Sequence, residues 1–443
     1  MSAIGLIGSL NREQRNTFMA SFLGWTLDAF DFFLVTFVTL RIANDFRVAL
    51  PAIAFTITLT LMLRPVGALL FGILADRFGR RTPLMVDIIC YSIIELLTAF
   101  SPNYTIFLLL RGLFGVAMGG EWGLGSSLAM ESLPTESRGL FSGILQQGYA
   151  CGYLLAAIAY FIVFTFFPYF GWRALFIIGV LPALLVVYIR FGVPESPVWE
   201  HQQVLHRERG TSVWQGMGNV IKRHWLLFVY LIILMTAFNS LSHGTQDNLP
   251  TFLQAQLKLG VSATSIITIV ANIGAIIGGT LFGYYSQYWG RRRAIIVASV
   301  LGIIMIPLWV GFIRIPGLSL LTSIAVGAFL LQFMVQGAWG IIPVHLNELS
   351  PTDVRGTFPG FAYQLGNLFA AFIVFLEALL AQSLGTVKTP NYAAALAIFS
   401  IGAFIAVILF TAIGREARGI EFIEAEEQEP VVDEVAPPRR AVS

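Results

Sequence analysis

Charge is what this chain has least of. Only 12% of its 443 residues are Asp, Glu, Lys or Arg, while 56% are apolar and 13% aromatic. A soluble domain carries about twice that share of charge, so the composition excludes an ordinary soluble protein and predicts a polytopic membrane protein. A surplus of one sign is missing too: the formal net charge is +2, and nothing calls for nucleic acid as a partner. Cysteine is almost absent. Cys90 and Cys151 both lie in apolar runs, which excludes a disulfide framework or a Cys/His metal cluster and leaves them as small packing residues. No nucleophile–base or metal-ligand constellation occurs, so no enzyme, cofactor or metal is expected. The weak ten-residue alternation of an outer-membrane barrel is lacking as well, and the predicted fold class is all-α.

What is present is a series of about twelve apolar runs long enough to span a bilayer. They fall near 17–40, 52–76, 83–100, 103–130, 138–166, 172–193, 224–255, 262–289, 294–314, 318–349, 355–383 and 391–413. The expected organisation is an N-terminal stretch 1–16, a six-helix bundle 17–193, a polar linker 194–223, a second six-helix bundle 224–413, and a tail 414–443. The tail is first acidic and then proline-bearing, and is expected to be disordered. Arg12 and Arg15 precede a full-length apolar run with no small-residue cleavage site, so an uncleaved first span is expected. Most of the 27 Lys and Arg fall on one side if both termini, the linker and the tail share it. The positive-inside rule then places that side in the cytoplasm, with the chain multi-pass in the cytoplasmic (inner) membrane and the lipid bilayer as its surroundings.

The two halves repeat each other. Gly72-Ile-Leu-Ala-Asp-Arg-Phe-Gly-Arg-Arg81 recurs as Gly283-Tyr-Tyr-Ser-Gln-Tyr-Trp-Gly-Arg-Arg-Arg293, and Pro134-Thr-Glu-Ser-Arg-Gly139 recurs as Pro351-Thr-Asp-Val-Arg-Gly356. Six spans, a linker and six similar spans imply a transporter whose halves rock about a central site.

One run breaks the apolar pattern. Asn239 to Thr251 reads Asn-Ser-Leu-Ser-His-Gly-Thr-Gln-Asp-Asn-Leu-Pro-Thr within span seven, and ionisable groups at membrane depth mark pathways and sites. At about 100° per residue, Asn239, Ser242, His243, Gln246 and Asp247 share an arc of about 140°. A spacing of four brings His243 and Asp247 together as a pair able to bind and release a proton. Hydrogen-bonded packing between helices is the alternative for His243 and Asn239. The end of the helix is expected to unwind near Pro250. Of the five histidines, His201, His206 and His224 sit in or beside the linker and are expected to be solvated or interfacial. His345 is expected to pair with Glu348.

The chain resembles the major facilitator superfamily, whose signature loop is matched by Gly72, Asp76, Arg77, Gly79, Arg80 and Arg81. Asp76, Arg80 and Arg81 are expected to latch neighbouring spans. The second copy has Gln287 where the acid should be, so a latch there must lean on Arg291 to Arg293. Within the superfamily, Asn239, Ser242, His243, Thr245, Gln246, Asp247 and Thr251 resemble the seventh-span signature of the lactate permeases of fungi and their bacterial monocarboxylate relatives. Arg64-Pro-Val-Gly-Ala-Leu-Leu-Phe-Gly72, and Arg111 with Gly119-Gly-Glu-Trp-Gly123, resemble the wider sialate/proton symporter group. The extra spans of the sialic acid transporters are absent. The resemblance implies a proton-coupled carrier of a small monocarboxylate, lactate or pyruvate first. The alternatives are a carrier of another organic acid and a nutrient sensor with the same fold. A monomer is the superfamily expectation.

A monocarboxylate needs a cation, and the basic residues inside the spans are Arg64 and Arg111. A guanidinium grips a carboxylate through two parallel hydrogen bonds and stays charged. Arg64 is preferred, since no acid lies one turn away along its own span, whereas Arg111 has Glu121 further along and an ion pair there is as well supported as substrate contact. Asp28 and Asp31 form a second candidate proton site, with pairing to Arg64 or Arg111 as the alternative. Gln146 and Gln147 on span five, and Gln364 and Asn367 on span eleven, are candidate neutral hydrogen-bonders to substrate. Phe141, Tyr149, Phe361 and Tyr363 are candidates to limit the cavity. The glycines of span four are expected to let helices approach closely.

Overall fold

The computed structural model describes residues 3–48, 50–209, 222–351, 354–386, 389–420 and 422. Every described element is helical, as buried backbone in a bilayer requires. Eleven stretches among the described residues are long and apolar enough to cross a membrane. The run expected at 355–383 is present as two helices, Phe358–Ala370 and Ile373–Ser383, separated at Ala371 and Phe372 with neither Pro nor Gly at the break. Leu109, Leu113, Phe191 and Ile304 are more than half exposed, the side-chain pattern of helices whose outer solvent is lipid.

Short polar residues set the helix starts. Asn11 opens the first span (Arg12–Phe46) with a reciprocal capping box, its side chain accepting from the Gln14 N–H at 2.8 Å while Gln14 accepts from the Asn11 N–H at 3.1 Å. Asn103, Ser319 and Asn391 cap the fourth (from Tyr104), tenth (Leu320–Trp339) and twelfth (Tyr392–Ile413) spans, each side chain accepting one backbone N–H of the first turn. Span four breaks between Tyr104–Ala117 and Glu121–Ser132, and span five between Arg138–Gln146 and Gly148–Phe166. Span seven (Trp225–Gln246) stops just before Asp247. A single turn, Leu249–Thr251, and a wide π-turn at Phe252–Gln256 follow. The unwinding expected near Pro250 thus begins three residues earlier, and it sets the signature acid at a helix terminus.

Glycine brings span two (Leu50–Phe78) against span four. A Cβ on Gly67 would lie 1.8 Å from the Val116 carbonyl oxygen, and one on Gly119 would lie 2.1 Å from that of Arg64. Spans eight (Val261–Trp289) and ten repeat the contact, with Gly278 against the Phe333 carbonyl at 2.0 Å. None of these carbonyls can retreat without unwinding its own helix. Gly67→Ala is therefore expected to cost at least the ~1–3 kcal/mol of an overpacked core, read as a lowered midpoint of thermal unfolding in detergent.

The repeated loops meet where the linker leaves the bundle. Arg80 is fully buried there and holds Glu131 through Nε at 3.2 Å and Nη2 at 3.1 Å, with Asp76 3.3 Å away. Asp76 in turn reaches the other half, accepting from the Gly356 N–H at 2.8 Å and the Thr357 hydroxyl at 2.6 Å. The linker's Glu195 accepts the backbone N–H groups of Arg80 and Arg81 at 2.7 and 3.2 Å, and burial pushes its carboxyl above the ordinary range. The second copy is just as complete. Arg291 holds Glu348 with two bonds of 2.9 Å, and Gln287, standing where the acid was expected, accepts from the same guanidinium at 2.8 Å. Glu416 caps Arg291 and Arg292 as Glu195 caps Arg80 and Arg81. The second latch therefore needs no acid in its loop, because the helix that continues span ten, Ile342–Leu349, supplies Glu348. Glu348 is consequently not the partner of His345, whose buried ring nitrogens have no hydrogen bond.

Within the described part of the linker lies the helix Pro197–Arg209, in which His201 is half-buried. His224 precedes span seven and is also half-buried, and the His206 side chain lies outside the described residues. Of the tail, residues 414–420 and 422 are described. Phe422 is 1% exposed and lies between the guanidinium groups of Arg138, at 3.7 Å, and Arg355, at 4.0 Å, an anchorage that the tail's composition does not announce.

Candidate substrate and proton site

Midway along the bundle the halves enclose a cavity of about 70 Å³. Trp25, Asp28, Arg64, Gln146 and Tyr149 line it from the first half, and Asn239, Ser242, His243, Tyr363 and Asn367 from the second. Toward the linker it is closed by contacts between the halves. Trp122 stacks on Tyr363 at 4.5 Å between ring centres, Gly123 and Gly360 touch backbone to backbone, and the Ser142 hydroxyl donates to the Gly340 carbonyl at 2.7 Å.

Arg64 is 5% exposed and sits two turns in from the Gly72 loop. Its sequence neighbourhood holds no counter-ion, but the fold brings one from span one: Nη2 lies 3.3 Å from Asp28 Oδ2. The same nitrogen is 3.1 Å from Met118 sulfur, and the Phe32 ring is 5.2 Å from the guanidinium carbon. One contact to one carboxylate oxygen is fewer than a guanidinium can make, and both Arg64 Nε and Asp28 Oδ1 are buried without hydrogen bonds. Arg64 is the only Lys or Arg on the cavity lining among the described residues.

Across the cavity, His243 Nδ1 lies 2.9 Å from Asp247 Oδ2, and Nε2 lies 2.9 Å from Asn367 Oδ1. With acceptors on both sides, the ring is placed for two N–H groups, as in the imidazolium form. His243 lines the central cavity. Asp247 lines a second one of about 220 Å³ together with Gln246, Gln332, Asn272 and Tyr153, and Tyr149 borders both. The His–Asp pair therefore bridges two cavities that a tyrosine divides. Gln246 faces the second cavity and donates to Gln332 Oε1 at 3.0 Å, while Asn239 bonds to the Met235 carbonyl at 2.9 Å and faces the first.

Several expected site residues are elsewhere. Gln147 is 4% exposed and packed between the halves, where a Cβ on Gly279 would lie 1.9 Å from its amide nitrogen; Gln146, one residue earlier, takes the lining position. Gln364 is 1% exposed and absent from both cavities. The break of span five at Gln147 and the rotation of span eleven decide these two cases. Arg111 pairs with Glu95 of span three (Arg81–Ala99) and with the Thr98 hydroxyl at 3.2 Å, not with Glu121. Glu121 is fully buried beside Gly24 with neither oxygen hydrogen-bonded, and Asp31 is equally buried and unbonded. Asp87, Glu95 and Glu377 are further acids at 0% exposure that the sequence reading passes over. The available signal was an acid inside an apolar run, the same signal that singles out Asp247.

Comparison with known proteins agrees with this architecture. A model of the "Sugar (and other) transporter" family matches residues 17–224, 221–311 and 314–423. The "Carboxylic acid transporter protein homolog" of Saccharomyces cerevisiae is 32% identical over 427 residues, covering 90% of this chain and 68% of its own. The "Probable 4-methylmuconolactone transporter" of Cupriavidus pinatubonensis is 28% identical, covering 92% of each. The sialic acid transporter NanX of Escherichia coli is 29% identical, over 81% of this chain and 85% of its own. Among solved structures, the major facilitator superfamily proton:xylose symporter XylE superposes with a TM-score of 0.72 at 17% identity, covering 94% of this chain and 98% of the other. The fold is thus the major facilitator fold, and the chain is a multi-pass membrane protein that belongs to the sugar (and other) transporter family, a transporter and not an enzyme.

Proposed function

We propose that the protein carries a short monocarboxylate, lactate or pyruvate first, together with a proton across the cytoplasmic membrane by alternating access. One observation carries the reading: Arg64 and His243 face one cavity from opposite halves, with Asp247 bonded to His243 from behind. The relatives named for carboxylic acids, muconolactone and sialic acid support an organic acid as the class of substrate. A dicarboxylate would call for a second cation, and Arg111 is committed to Glu95, away from the cavity.

The cycle follows from charge. With the linker end taken as cytoplasmic, the contacts that close that end leave the Asp247 cavity on the outer side of Tyr149. Asp247 takes a proton from outside and passes it to His243. The substrate carboxylate then binds Arg64 in place of Asp28, making two hydrogen bonds where Asp28 makes one. A displaced Asp28 would be a second uncompensated anion beside substrate, and the same proton, passed from His243 across the shared cavity, relieves it. Anion and proton together carry no net charge, so uptake should follow the pH gradient and be indifferent to voltage.

The test is uptake of labelled lactate into proteoliposomes under an imposed pH gradient. Wild type should accumulate it, and His243→Ala and Asp247→Asn should each lose about tenfold or more of the gradient-driven rate, the upper part of proton-transfer contributions being larger still, while keeping exchange of lactate at equal pH. Accumulation driven by voltage at constant pH would sink the coupling, and the absence of any short-acid uptake by wild type would sink the substrate class.

A further inference from the structure

We propose that Glu377, on the far side of span seven from the cavity, is a positioning residue that holds Asp247 in place through Asn248 and sets how readily His243 takes its proton. This rests on the proton-coupled reading above.

Glu377 lies in the outer helix of span eleven (Ile373–Ser383) and is 0% exposed. Its Oε2 accepts from the Asn248 side-chain amide at 2.9 Å. Its Oε1 is buried with no hydrogen bond and points at span seven beside His243, since a Cβ added to Gly244 would lie 3.1 Å from it. Gly244 admits the carboxylate to this position, and its own carbonyl accepts from Ser400 at 3.3 Å.

Asn248 follows Asp247 directly, at the point where span seven stops being α-helical. A bond from Asn248 to Glu377 therefore fixes the peptide that carries Asp247, at a helix end that would otherwise be free to swing. Span eleven bonds to the signature stretch through Tyr363 and Asn367 on its inner helix and through Glu377 on its outer helix, on both sides of the break at Ala371 and Phe372.

The ionisable surroundings of His243 are few. Asp247 bonds to it, Glu377 stands behind it on span eleven, and Tyr363 of the inner helix and Tyr149 of span five border the same cavity. Arg64 and Asp28 face it from the other half. Span ten presents neutral Gln332 and Gln336, and span twelve bears no titratable side chain other than Tyr392 at its outer end. When His243 and Asp247 are both charged they cancel, and Glu377, when ionised, is the carboxylate that remains beside them among the described residues. A negative charge beside an imidazole favours its protonated form. Removing it should lower the pH at which the carrier loads its proton.

The variant is Glu377→Gln, which keeps an oxygen for Asn248 and loses the charge. In proteoliposomes its lactate uptake, measured against external pH, should reach half-maximum about one pH unit or more below wild type, with the maximal rate recovered in acid and KM for lactate at saturating protons unchanged. Glu377→Asp keeps the charge with a shorter reach, and should keep the wild-type midpoint at a reduced rate. A Glu377→Gln profile with the wild-type midpoint, or a rate lowered equally at every pH, overturns the proposal. So does failure of both Glu377→Gln and Glu377→Met to reach the membrane folded, since the charge would then serve the fold alone. His243→Ala, run beside them, separates the two levels: if it loses coupling while Glu377→Gln behaves as wild type, only this inference falls, and if it keeps coupling the underlying reading falls.

Discussion

Arg64→Gln is expected to lower lactate transport at subsaturating substrate by at least about a hundredfold, a loss of roughly 2.7 kcal/mol or more in substrate binding. The guanidinium is the only Lys or Arg side chain on the cavity lining among the described residues, and a carboxylate taken from water into that cavity without it keeps its desolvation cost and gains no compensating charge. Arg64→Lys is expected to fare better but still to lose about tenfold, because an ammonium supplies the charge without the two-pronged geometry. Asp28→Asn is expected to act in the opposite sense on affinity. Arg64 then has no anion to release before substrate binds, so lactate should bind more tightly while the pH dependence of uptake flattens. Binding of labelled lactate in detergent, beside initial uptake rates in proteoliposomes, reads all three, and near-normal transport by Arg64→Gln would remove the anion anchor from this site.

Arg111→Leu is expected to destabilise the protein by about 3–5 kcal/mol, the usual consequence of removing one partner of a buried ion pair. Arg111 is 1% exposed and Glu95 is fully buried. The guanidinium also has the Phe114 ring 4.1 Å away and Phe176 at 5.2 Å, so Glu95, left alone, would face aromatic walls instead of water. The double variant Arg111→Leu, Glu95→Leu should recover most of that loss, because removing both charges also removes their desolvation cost. Melting temperature in detergent reads the recovery. The KM for lactate in the double variant should equal that of wild type, which separates a structural pair from a second anion site. A folded double variant with KM raised about tenfold or more would assign Arg111 to substrate after all.

Much of the architecture was legible before any coordinates. Long apolar runs, two repeated loops and a histidine four residues before an aspartate are local features, and helical periodicity turns each into a statement about one helix. His243 and Asp247 meet at 2.9 Å as that spacing requires. Legibility stopped where a contact needed a second helix. Arg64 looked free of any acid along its own span, and the fold supplied Asp28 from span one. Arg111 was offered Glu121 by proximity along the chain, and received Glu95 from span three. The break at Gln147 set Gln146 on the cavity and turned its neighbour into the seam between the halves.

The division has a physical cause. Composition, span length and the period of 3.6 residues are properties of a chain segment in a bilayer, so they suffice for an all-helical membrane transporter of two similar halves with a polar stripe on span seven. The rotation of each helix about its axis, the positions where helices break, and the partner each buried charge finds depend on how neighbouring helices pack. Glycine contacts such as Gly119 against Arg64 and the closure of the halves set these, and it is helix packing that puts Arg64, Asp28 and His243 on one cavity with Glu377 behind it.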